Sequence, residues 1–167
     1  MSQFFQLFSL PEQFPLDNDA LEQRYRTAAA QCHPDKFAAA SSFEQKQAMM
    51  MASLVNEAYQ TLKSPLERAA YLLKQQQIDA DAPEHTSFAP DFLMQQMEWR
   101  EALEDARAEN NQTALANLDN DISGEQNTLY GQLQTAFEQA QYEQAAELVR
   151  KGRFLNKLRQ EIRQARS

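Results

Sequence analysis

The sequence holds one cysteine and three glycines among 167 residues, and valine and isoleucine together number only five. The lone thiol, Cys32, excludes an intramolecular disulfide and any multi-thiolate zinc or iron–sulfur site. All three glycines lie at or after Gly124, so a phosphate-cradling glycine loop is excluded, and with it P-loop nucleotidases and Rossmann dehydrogenases. Too few β-branched aliphatic residues remain to fill the faces of an extensive sheet. Alanine, glutamine and leucine, by contrast, number 25, 22 and 18, which predicts an all-α protein. No apolar run approaches the roughly 20 residues of a membrane span. The segment MSQFFQLFSLPEQFPL has neither a basic start nor a small-residue cleavage site, so a mature, cytoplasmic protein is expected.

Charge is distributed unevenly behind the net value of −8. Residues 1–75 carry seven basic and eight acidic side chains; residues 79–147 carry two against fifteen; residues 148–167 carry seven against one. An acidic middle of this size would repel phosphates, so no nucleic-acid partner is expected. The basic end, from Arg150 to Arg166, suits a helix C-terminus and pairing with the acidic middle helices.

Prolines also divide the chain. Pro11, Pro15, Pro34, Pro65, Pro83 and Pro90 all lie in its first 90 residues. The stretch Gln76–Pro90 has two of them and no helical periodicity, and it is expected to be a linker between an N-terminal domain, 1–75, and a C-terminal domain, 91–167. In the N-terminal part, Asp17-Asn18-Asp19 predicts a capped helix start, and Leu21, Tyr25, Ala28 and Cys32 form its apolar face. Pro34 should stop that helix. Ser41 or Ser42, each followed three residues on by Glu44 or Gln45, should start the next, with Met51, Leu54, Val55, Ala58 and Leu62 inward. Within the run Met49-Met50-Met51, Met51 is the one expected to face the core. Ser64-Pro65-Leu66-Glu67 starts a further helix. The C-terminal part reads as three long helices, about 90–109, 113–139 and 142–165, forming a bundle.

His33-Pro34-Asp35-Lys36 falls between the two helices of the N-terminal hairpin. By itself such a tetrapeptide is an ordinary helix stop. Its neighbours are Tyr25-Arg26 on the preceding helix and Asn56-Glu57-Ala58-Tyr59 with Leu62 on the following one. With them, the segment resembles the J-domain family, whose hairpin loop carries His-Pro-Asp ahead of an N-x-A-Y-x-x-L helix. Proline removes freedom that docking would otherwise have to remove, and Asp35 can accept a bidentate arginine. The resemblance implies that His33, Pro34, Asp35 and Lys36 stimulate ATP hydrolysis by a DnaK-type chaperone, with Arg24 and Arg26 supplying positive docking surface. The stretch Thr27–Gln31 lacks the further lysines of many J-domains, which implies a weaker generic surface or a specialised chaperone. No nucleophile, metal set or oxyanion donor is visible beside the loop, so no catalytic residue and no intrinsic enzyme activity is expected. His85, the other histidine, is too little to build a metal site.

The segment FLMQQMEWREALED sorts into two helix faces. Phe92, Trp99, Leu103 and Ala106 share one side and should be core; Met94, Met97, Glu98, Glu101 and Asp105 share the other, with Leu93 at its margin. An apolar strip rimmed by acids is a docking surface when exposed and a packing face when covered. Together with FQLFSLP, HPDKF, SPLERAAYLL and VRKGRFLNKLR, this segment resembles the HscB-type co-chaperones of iron–sulfur cluster assembly nearly end to end. That likeness implies a bundle that binds the cluster scaffold, IscU, through Leu93, Met94, Met97, Glu98, Glu101, Asp105 and Phe154. It also implies a J-domain that engages a dedicated chaperone, HscA, with no cofactor or metal held by this chain. Phe154 points away from the centre of the face shared by Leu148, Leu155, Leu158 and Ile162. Two other readings stay open from sequence: a J-domain adaptor for a different client, and a structural helical protein whose His-Pro-Asp is merely a helix stop.

Overall fold

A computed structural model describes residues 3–82 and 88–167, so His85 and part of the expected linker lie outside the described residues. The chain is built of helices, in two compact units that divide between Ile78 and Asp79. Among the described residues, no helix is long and apolar enough to cross a membrane.

The first unit contains α1 (Gln3–Leu7), α2 (Asn18–Gln31), a 3-10 turn (Pro34–Phe37), α3 (Ser42–Lys63) and α4 (Pro65–Gln75). Local chemistry sets the helix starts. Asp17 accepts the amides of Asp19 and Ala20, Ser41 accepts that of Glu44, and Ser64 accepts that of Glu67 ahead of Pro65 at the first helical position. Leu21, Val55, Ala58, Leu62, Leu66, Ala69 and Leu73 form the core, together with Phe5, Phe8 and Phe14. Tyr71 fastens α1 to α4, stacking on Phe4 at 4.6 Å and accepting the Phe4 amide at its hydroxyl.

Arg68 is buried in this unit. Its guanidinium donates to the carbonyls of Phe14 (2.7 Å) and Leu62 (2.6 Å) and lies over the Phe14 ring. Burial pushes its pKa down, because the charged form has lost water; carbonyl acceptors and a ring face replace part of that solvation.

The expectation for Met51 is corrected. Met49, Met50 and Met51 are 68%, 69% and 45% exposed, and Leu54 is only half-buried. Met51 lies alongside α2, on an open groove of about 480 Å³ that it lines with Ala28 and Cys32, and these small side chains leave much of it uncovered. Periodicity names the face that would be buried, but a partner of sufficient size must be present to bury it.

The second unit contains α5 (Pro90–Ala108), α6 (Gln112–Glu138) and α7 (Tyr142–Arg166), within about two residues of the ends predicted from sequence. The α6–α7 pair buries Leu115, Ile122, Leu129, Leu133, Val149, Leu155, Leu158 and Ile162. Among these apolar layers, Gln126 is 5% exposed. It donates to Asn156 and accepts from Arg159 (2.9 Å), which also reaches Asp119 at 3.0 Å. A satisfied buried amide of this kind favours one register of the two helices over slipped ones. Burial raises the Tyr130 pKa nearby, against the opposing charge of Arg159. The basic end pairs internally, Arg159 and Arg166 with Asp119 and Lys151 with Glu147, while Arg100 of α5 pairs with Glu161 of α7. Arg153 grips Asp81 in the segment before α5, so Asp81 belongs to this unit.

Helix ends use left-handed residues without glycine. Ser9, Gln77, Asn110 and Ala140 have φ of 52°, 63°, 50° and 54°. Each is followed by an amide that bonds five residues back, such as Gln141 to Ala136 at 2.8 Å.

Candidate functional site

The turn after α2 is defined by short-range bonds. Cys32, buried at 5% exposure, ends the helix, with its thiol directed at the Ala28 carbonyl. His33 then becomes the cap of the 3-10 turn: its Nδ1 accepts the Asp35 amide at 3.2 Å, and its carbonyl accepts the Lys36 amide at 3.0 Å. An Nδ1 that accepts a backbone N–H carries no proton, so the neutral ring is the Nε2–H tautomer. Nδ1 also lies 3.6 Å from Asp35 Oδ2. The Asp35 side chain is left 93% exposed.

About two helical turns before the turn, Tyr25 of α2 donates to Asn56 Oδ1 at 2.9 Å and stacks on Tyr59 at 4.0 Å between ring centroids. Ala58 and Leu62 are fully buried. The Asn-x-Ala-Tyr-x-x-Leu pattern thus divides into two clamps on α2 and two core residues. Near the tip of the hairpin, Gln45 of α3 donates through Nε2 to the Phe37 carbonyl (2.9 Å) and to that of Ala38 (3.5 Å).

Arg24 and Arg26 are both exposed on α2, but neither is an isolated cation. Arg24 donates to the Phe8 carbonyl at 3.2 Å, and Arg26 pairs with Glu22 at 2.7 Å. Lys36 is exposed beside Asp35.

In the second unit, Phe92, Trp99, Leu103 and Ala106 of α5 face inward as predicted. The opposite face is open: Leu93, Met94 and Met97 are 44%, 62% and 72% exposed. Glu98, Glu101 and Asp105 are exposed along the same helix. Phe154 of α7 is half-buried in an aromatic cluster under that helix, stacked on Trp99 (6.3 Å, 22°) and edge-on to Phe92 (5.8 Å). Arg100 lies over its ring at 5.4 Å. Phe154 therefore joins α5 to α7 and keeps part of its ring in solvent.

Residues 3–71 match the DnaJ domain family, and residues 88–163 match the HSCB C-terminal oligomerisation domain. A co-chaperone protein HscB homolog of Neisseria meningitidis serogroup C is 60% identical over 165 residues, covering 99% of each chain. The chain belongs to the HscB co-chaperone family. Chaperone HscB from Vibrio cholerae has the same fold, with a TM-score of 0.86 and 39% identity over 98% of this chain and 96% of its own. Human co-chaperone protein HscB superposes with a TM-score of 0.91 at 30% identity, over 98% of this chain and 82% of its own.

In this HscB-family chain, sequence reasoning missed Gln45, Arg68 and Arg100. Gln45 carried a signal, since it sits in a possible capping box after the turn; the structure gives its side chain to the turn instead. Arg68 and Arg100 carried none, because their acceptors and rings lie far away in sequence or on another helix.

Proposed function

We propose that this chain is an adaptor that delivers the iron–sulfur scaffold protein, IscU, to a dedicated DnaK-type chaperone, HscA, in the cytoplasm and raises the chaperone's ATPase rate, so assisting cluster assembly and transfer. His33, Pro34, Asp35 and Lys36, with Arg24 and Arg26, meet the chaperone. Leu93, Met94, Met97, Glu98, Glu101, Asp105 and Phe154 meet the scaffold.

The observation that carries this reading is a highly exposed carboxylate on a turn that is already ordered. The Asp35 side chain is 93% exposed, while its own amide is tied to His33 and its backbone follows Pro34. Such a group docks an arginine with little conformational loss. The open Leu93–Met94–Met97 strip supports the second half: methionines adapt to an irregular partner, and the acids at the rim add charge selection. Tethering two modest interfaces on one chain raises the effective concentration of scaffold at the chaperone. The chain needs no catalytic step, cofactor or metal of its own for this role.

The test is HscA ATPase activity titrated with this protein, with and without IscU. Stimulation by the protein, a further rise with the scaffold, and loss of both for Asp35→Ala are expected. An Asp35→Ala chain that folds and stimulates normally would rule out the mechanism.

A further inference from the structure

We propose that Gln45 is a positioning residue for the His33–Asp35 turn, acting through the backbone of Phe37 and Ala38; this rests on the chaperone-docking reading above and deepens it. The turn's own bonds are all local. His33 holds the amides of Asp35 and Lys36, and the Ala40 amide closes on the Phe37 carbonyl. Such bonds set the shape of the turn but not its place on the unit. Phe37 is only half-buried and borders two open grooves, of about 480 Å³ and about 580 Å³. Both grooves are also lined by Cys32 and Ala48.

Gln45 ties this partly open turn to α3. It stands in the first turn of α3, where the helix ladder fixes its backbone, and its Nε2 reaches two successive carbonyls at 2.9 and 3.5 Å. Those carbonyls belong to the end of the 3-10 turn, two and three residues beyond Asp35. The Phe37 carbonyl already accepts the Ala40 amide, and a second bond to it or to Ala38 still takes a donor, which glutamine supplies and glutamate of the same shape does not.

A residue that orders a docking turn in advance lowers the conformational loss on binding and does not alter the bound geometry. Its removal therefore raises the concentration of this protein that half-saturates the chaperone and leaves the maximal ATPase rate unchanged. Loss of one hydrogen bond of this kind corresponds to about a threefold to tenfold shift.

The experiment uses the full chain carrying Gln45→Met, Gln45→Lys or Asp35→Ala. Backbone amide ¹⁵N relaxation of Asp35–Ala38 is read in the free protein, and HscA ATPase activity is titrated with each. Gln45→Met, which removes the donor at similar length, should loosen those amides and raise the half-saturating concentration at full plateau. Gln45→Lys, which keeps an N–H donor, should restore the amide order. Wild-type order or wild-type half-saturation in Gln45→Met overturns the proposal, as does a lowered plateau with unchanged half-saturation. If Asp35→Ala stimulates normally, the docking reading falls, and the relaxation data still decide whether Gln45 holds the turn.

Discussion

His33, Pro34 and Asp35 project from a turn between two helices, whereas Met94, Met97, Glu98 and Glu101 stand on the outer face of one unbroken helix. The two candidate surfaces need different support. A helix face inherits its geometry from the backbone ladder, and α5 needs only the core beneath it, Phe92, Trp99, Leu103 and Ala106. A turn has no ladder. It depends on Pro34, on the His33 ring as a cap and on Gln45 reaching in from α3, while Tyr25 clamps the helix that precedes it. Rigid presentation by a helix is widely distributed and hard to remove with one substitution; presentation by a turn rests on a few named bonds.

The comparison can be broken most severely in the core of the first unit, at the end of α3 far from the turn. Arg68→Met leaves the carbonyls of Phe14 and Leu62 without their donor inside the first unit. It should cost about 3 kcal/mol, seen as lost hydrogen-exchange protection in α3 and α4. A loss under about 1 kcal/mol would mean that water or another donor replaces the guanidinium.

Asp35→Ala comes next. It should lower chaperone stimulation about tenfold to a hundredfold, the value of a charge-assisted hydrogen bond, with the unfolding midpoint unchanged because the side chain is so exposed. Met97→Ala with Glu101→Ala should weaken scaffold binding about tenfold, measured by calorimetric titration, again without loss of thermal stability. Lost stability there would show that the strip is packed in solution and would remove the contrast between the two surfaces.

The smallest effect concerns helix ends. Ala140 holds φ at 54°, which costs a residue with a Cβ energy that glycine avoids. Ala140→Gly should stabilise the second unit by about 0.5–1 kcal/mol in chemical denaturation, by relieving that backbone strain without touching either surface.

Much of this was legible in the sequence. Asp17, Ser41 and Ser64 marked helix starts because a cap bonds amides within three residues of itself. The sorting of Trp99 and Leu103 from Met94 and Met97 followed from 100° per residue on a helix that is covered along one side. The same rule failed at Met51, since the α2 residues beside it, Ala28 and Cys32, are small and leave an open groove. Phe154 was placed correctly off the centre of its helix face, but its stacking on Trp99 could not be read from its own helix.

Local chemistry in the sequence alone therefore determined the helices, their caps and the composition of each face, because these depend on neighbours a few residues apart. Tertiary structure decided which faces are covered, that Arg68 lies inside, and that Gln45 serves the turn rather than its own helix end. Those outcomes depend on the size of the side chains that one helix sets against another, and on which distant carbonyl comes within about 3 Å of a donor.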